Sequence, residues 1–200
     1  MAMGLAALPW PPYLGRYHLA SIRKNGFYIS PKATIHHQAL QLAPNVFIDD
    51  GVVIFQDDDG GAVELSQSVH LHRDVIAQTG HEGCIAIGER THVQPRCIFS
   101  AYVGQIRVGS FGEIAPHCAF YSYDHGYALN QRIRSQPLTS KGGIVIEDDV
   151  WLGFGVIVLD GVNIGKGAVI GAGAVVTRDI PENAIAAGVP ARVMKVRSSS

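Results

Sequence analysis

The chain is poor in several things that soluble domains of its size commonly use. Three cysteines in 200 residues, Cys84, Cys97 and Cys118, show no CxxC spacing and leave one unpaired, which argues against a disulfide framework and suits a reducing cytoplasm. Neither sign of charge is in excess: 16 Lys and Arg against 17 Asp and Glu leave a net charge of −1, too little for a broad nucleic-acid or anionic-membrane footprint. No apolar run approaches a membrane span. The first ten residues are apolar but have no basic segment before them, which argues against a secretory signal. Also missing over the most regular part of the chain is the period of about 3.6 of an amphipathic helix or of 2 of a half-buried strand. At 47% hydrophobic the chain can still bury the core of one domain.

The period that is present is six. From Ile146 to Pro181 the sequence cuts into IEDDVW, LGFGVI, VLDGVN, IGKGAV, IGAGAV and VTRDIP, each block opening on a branched aliphatic residue: Ile146, Leu152, Val158, Ile164, Ile170 and Val176. Hexapeptide repeats of this kind build parallel β-solenoids, in which each short strand is one side of a prism and stacked coils share one core. The same grid extends upstream through Leu42, Ile48, Ile54; Leu65, Leu71, Ala77; Ile87, Val93, Phe99; and Val108, Ile114, Phe120, with Ile29 and Ile35 in a partial first coil. Each set has three members, one trip around a three-sided prism. The grid breaks at residues 60–64, 83–86, 105–107 and 126–145, always between sets, so every insertion leaves from one corner. That corner is also polar where others are apolar, with Asp58, His81 and Asp124 at its fifth positions. Loops gathered on one side of a solenoid are commonly its binding side, and the 126–145 insertion is the longest.

The chain thus divides into a segment 1–28 outside the repeat, a β-helix over 29–181 with its loop at 126–145, and a tail over 182–200. Pro9, Pro11 and Pro12 exclude a regular helix around Trp10. An open solenoid end needs covering, so residues 1–28 are read as an irregular N-terminal cap.

The run DDVWLG followed by GVNIGKGAVIGAGAVVTRDIPENAIAAGVPARV, with DHGY and a long loop upstream, closely resembles the hexapeptide-repeat acyltransferases. The likeness is to the acetyl-CoA-dependent sugar O-acetyltransferases of the maltose, galactoside and polysaccharide type. It is specific from Asp124 to Val196, generic from Leu42 to Tyr123 and absent before Ile29. The resemblance implies an all-β fold, a left-handed parallel β-helix, an exception to the right-handed crossover rule. It also implies a homotrimer with active sites in the clefts between subunits, and acetyl-CoA as acyl donor with no metal.

The chemistry is acyl transfer from a thioester to a hydroxyl, which needs a base at neutral pH, and a histidine suits that task. His125 matches the family's base at the foot of the long loop, and Asp124 is a candidate to orient it. For the donor, the resemblance implies Trp151 beside the site, backbone at Gly153 and Ala172 against the pantetheine arm, and Thr177, Arg178, Arg192 and Lys195 toward the phosphates. The glycines also have a plain role at tight coil corners. Phe154 departs from the small residue relatives often carry after this glycine and stays outside the site.

Two other classes compete. The same fold hosts a zinc carbonic anhydrase class, and His70, His72, His92 and Glu113 fall close together on the grid, with His70, His92, Glu113 and Trp151 in one column on a prism corner. Ser122 stands where a partner for His117 is needed, however, and that reading leaves the tail unexplained. A non-enzymatic scaffold would not need DHGY. The acceptor is expected to be a sugar or saccharide precursor, met by Tyr123, Tyr127, Asn130, Gln131, Arg132 and Arg134 of the long loop; transfer to an amino sugar's nitrogen is the alternative within the family.

Overall fold

In the computed structural model, residues 26–57, 59–81 and 83–198 are described. The expected cap over 1–28 lies outside them apart from its last three residues, as does Asp58.

The described chain winds as a three-sided parallel β-solenoid. Its strands stack into sheets of six, nine and seven, the three faces of the prism, with a separate two-stranded hairpin. The register is the sixfold grid. On the first face Leu42 pairs with Leu65, Leu65 with Ile87, Ile87 with Val108, Val108 with Ile146 and Ile146 with Ile164. On the second, Ile48, Leu71, Val93, Ile114, Leu152 and Ile170 follow one another likewise. Ile54, Ala77, Phe99, Phe120, Val158 and Val176 make the third. All but Leu42, which is partly buried against the core, are buried. Because coils stack at strand spacing, like side chains fall on like, and the core is a set of columns. In the third column the small Ala77 precedes Phe99 and Phe120, whose rings stack at 4.6 Å.

A block of six closes because its fourth residue turns the chain with a positive φ. At the corner between first and second faces these residues are Asn45, Ser68, Arg90, Phe111, Asp149 and Gly167. At the corner between second and third they are Gly51, Asp74, Arg96, His117, Gly155 and Gly173. Glycine takes this conformation without penalty; Phe111 at φ 59° and His117 at φ 65° take it against their side chains.

The remaining corner carries the insertions. Two of the breaks in the grid prove to be strand: Cys84–Ile87 and Gln105–Val108 are four residues long and pair along their whole length. Insertions stacked on one another can continue the ladder, so they lengthen the faces. The long insertion instead folds back on itself. Asp124–His125 pairs antiparallel with Leu138–Thr139, and Ile144–Ile146 already belongs to the first face. After the last coil, Ala184–Ala187 extends the second face and Arg192–Val196 pairs antiparallel against it.

The stacked rings give a direct test of the core. Phe120→Ala should cost about 3 to 5 kcal/mol, read as a lower urea midpoint at unchanged slope; a loss under about 1 kcal/mol would mean the column is not close-packed.

Candidate active site

His125 is held at the insertion corner by the hairpin, cross-strand from Leu138. Its ring is exposed and has no hydrogen-bond partner among the described residues; its nearest aromatic neighbour is Tyr123, 6.5 Å away in an edge geometry. Residues two apart on a strand share a side, so Tyr123 and His125 project together and Asp124 projects away. Asp124 accordingly meets Lys141, whose Nζ donates to its Oδ2 at 2.8 Å. The carboxylate raises the Lys141 pKa through that hydrogen bond and its charge. Within one chain Asp124 therefore braces the hairpin and does not orient the His125 imidazole.

The root of the hairpin is pinned by Asp160, which sequence reasoning missed. Its buried carboxylate accepts from the Ser140 hydroxyl at 2.9 Å, the Gly143 amide at 2.9 Å and the Lys141 amide. At the tip, the Gln136 side chain accepts from the Ala128 amide at 2.7 Å and donates to the Ala128 and Gln131 carbonyls. An insertion with both ends tied can hold a side chain in place. The only sequence signal for Asp160 was a carboxylate at the turn facing the long insertion.

The expected donor residues lie elsewhere. Trp151 is half exposed on the outer side of the second face. Gly153 is buried at the corner that follows, and a Cβ there would come within 2.7 Å of the Ala172 nitrogen, so coil stacking alone requires glycine. Ala172 is exposed beside it, and Gly155 and Gly173 have open space where a side chain would project. Phe154 stands out from this corner with its ring 5.0 Å from that of His117. Thr177 and Arg178 follow the last strand of the third face, while Arg192 and Lys195 lie on the terminal antiparallel strand; all four are exposed. The third face thus separates His125 from Trp151, Gly153 and Ala172. One chain does not bring the two sets together.

The faces differ on the outside. On the first, the outward residues in register are Gln41, Glu64, Ala86, Arg107, Val145 and Asn163. On the third they are Val53, Ile76, Ile98, Ala119, Ile157 and Val175, an apolar column. On the second, Phe47, His70, His92, Glu113 and Trp151 run in register. This column lies along a face and not on a corner, as the grid had suggested, because each residue begins a strand. His70 and His92 stack with centroids 4.7 Å apart, and His92 Nδ1 lies 3.1 Å from Glu113 Oε1. Among the described residues no three His, Cys, Asp or Glu of this chain could hold a metal ion together. Cys97 and Cys118 are buried, with their thiols donating to the Ala115 and Gly153 carbonyls at 3.2 and 3.3 Å. No described helix is long and apolar enough to cross a membrane.

Comparison with known proteins agrees with this architecture. The family model for the bacterial transferase hexapeptide (six repeats) matches residues 143–178. A galactoside O-acetyltransferase of Lactococcus lactis is 43% identical over 90 residues, 45% of this chain and 42% of that protein. A hexapeptide-repeat-containing acetyltransferase from Vibrio cholerae superposes with TM-score 0.59 at 27% identity, over 68% of this chain and 74% of its own. A galactoside acetyltransferase solved with coenzyme A gives TM-score 0.57 at 30% identity, over 67% and 64%. The chain spans about half the length, or less, of the curated relatives it matches. The class defined by repeat and coil is the left-handed parallel β-helix. Within that class the chain is similar to hexapeptide-repeat acetyltransferases.

The histidine column makes stability depend on pH. Burial, and then the neighbouring His92 and His72, lower the His70 pKa from 6.5 to about 4. Above pH 6.5 the folded and unfolded chains are both neutral at this site. As pH falls from 6.5 toward about 4, only the unfolded chain takes the proton, so stability is lost across that window. Urea midpoints at pH 7.5 and 5 should show the fall, and His70→Phe should flatten it; an unchanged pH slope in the variant would remove His70 from the cause.

Proposed function

We propose that the protein transfers an acetyl group from acetyl-CoA to a hydroxyl of a saccharide, with His125 as general base. The carrying observation is an exposed imidazole with no hydrogen-bond partner among the described residues, held by a doubly tied hairpin at the corner where all insertions leave. In the reaction the acceptor oxygen attacks the thioester carbonyl carbon while His125 takes the hydroxyl proton. The tetrahedral intermediate expels the thiolate, and the proton passes from the imidazolium to that sulfur. Backbone N–H groups are the natural donors to the transient oxyanion. Acetyl-CoA is taken as the donor because relatives are named acetyltransferases and one solved neighbour holds coenzyme A. Trp151, Gly153 and Ala172 would meet the pantetheine arm, and Thr177, Arg178, Arg192 and Lys195 the phosphates. A galactoside acetyltransferase among the relatives favours a sugar oxygen as acceptor. Free thiols at all three cysteines fit a reducing, cytoplasmic setting.

The separation of His125 from the donor residues asks for a second subunit. We infer a cyclic homotrimer, in which the apolar outer column of the third face packs against a neighbour and a base from one subunit meets a donor groove shared with the next. Light scattering at micromolar concentration should give three chain masses. A single-chain mass would leave the two halves of the site apart and overturn the assembly.

Replacing His125 with alanine should lower turnover by about 10² to 10⁴ with acetyl-CoA affinity nearly unchanged. The side chain is outside the core, so the melting temperature should stay within a few degrees. Steady-state kinetics with isothermal titration of acetyl-CoA checks this; wild-type turnover in the variant would dismiss His125 as the base.

A further inference from the structure

The hairpin that carries His125 also closes one side of a cleft of about 530 Å³. Its other wall is Asp59, His81, Tyr102 and Val103, from the insertion corners of earlier coils, and the hairpin supplies Pro137 and Leu138. Leu138 is the cross-strand partner of His125, so the cleft adjoins the imidazole.

A strip of rings leads from the cleft to that imidazole. His81 meets Tyr102 at 5.8 Å and 90°, Tyr102 meets Tyr123 at 6.0 Å, and Tyr123 meets His125 at 6.5 Å. The strip exists because successive coils place their insertions above one another. It is also held in place. A Cβ at Gly80 would lie 2.7 Å from the Tyr102 ring, so the absence of a side chain there lets the ring lie on the backbone. The Tyr123 hydroxyl lies 3.3 Å from the Ser100 Oγ. Three ring-to-ring steps, each about the length of one sugar residue, are more than a single sugar would fill.

The charge at the far end narrows the ligand. Asp57 and Asp59 are both exposed at this corner, whereas Arg132 and Arg134 do not line the cleft. Acidic groups with no salt bridge among the described residues disfavour phosphates and carboxylates and accept hydrogen bonds from hydroxyls. Aromatic faces take the apolar C–H side of a sugar ring, as they take other apolar surfaces, leaving its hydroxyls at the edge.

We propose that this strip is an extended acceptor subsite for a neutral oligosaccharide of two or more rings. The reacting end ring lies at His125 and the following rings lie over Tyr123 and Tyr102, with hydroxyls at His81 and Asp59. The proposal rests on the acetyl-transfer reading and narrows it, since it selects an oligosaccharide over a free sugar or a nucleotide-linked one.

The test uses the assembled full-length protein with acetyl-CoA and the glucose, galactose and N-acetylglucosamine series of one to four rings, with UDP-glucose as the charged comparison. In one series kcat/KM should rise about tenfold or more between one and three rings, the effect expected of two added aromatic contacts, while UDP-glucose gains nothing. Tyr102→Ala should bring the ratio of three-ring to one-ring kcat/KM close to one, and Tyr102→Phe should keep it. Equal rates for one and three rings, a preference for UDP-glucose, or a ratio untouched by Tyr102→Ala would overturn the subsite while leaving acetyl transfer standing. If no compound is acetylated, isothermal titration of the tetrasaccharides decides. Binding that is lost in Tyr102→Ala upholds the subsite and sinks the transfer reading, and no binding overturns the subsite.

Discussion

The structure depends on vertical registry: each coil must place one apolar side chain per face on the equivalent side chain of the coil before it. Parallel strands at ladder spacing bring like residues into contact, so an error in one block would propagate to every column above it. The register holds through insertions of very different length because all of them leave at one corner. At the other two corners a residue of positive φ closes each block, and the chain tolerates Phe111 and His117 there because the turn geometry is imposed by both flanking strands.

This regularity settles what each face can do. Inward positions are committed to the core, so chemistry can reside only on outer rows, at corners and in insertions. The first face presents Glu64, Arg107 and Asn163 to solvent, the second carries stacked histidines and Trp151, and the third is apolar along its outer row. Sites in such a molecule arise where one corner's insertion meets another surface. The long insertion is the clearest case: Asp160 and Gln136 tie its ends, and the Lys141 to Asp124 pair braces the strand between them. The pair is exposed, so its contribution is geometric more than energetic, since surface ion pairs contribute little to stability.

Paired residues in sequence did not become paired residues in space. Asp124 and His125 are adjacent in DHGY, yet strand geometry sends their side chains to opposite sides, and Asp124 found Lys141. Gly153, a candidate for backbone contact with a ligand, is required by coil packing whether or not a ligand comes. Conversely, His81, Tyr102 and Tyr123 are far apart in sequence and form one strip of rings because the coil returns to the same corner.

The sequence by itself determined the solenoid, its three faces, the inward residue of each block and the corner from which insertions leave. Those are periodic properties, and a six-residue period leaves only one way to stack a buried aliphatic column. It also marked His125, at the foot of the longest insertion. The tertiary structure decided what periodicity cannot encode: that two breaks continue the ladder as strand, that the long loop folds into a hairpin, and which carboxylate braces it and which pins its root. Asp160, inside the repeat, and Lys141, in the insertion, carried no pattern because their roles depend on the fold-back of that insertion, where side-chain partners are set by three-dimensional approach and not by spacing along the chain.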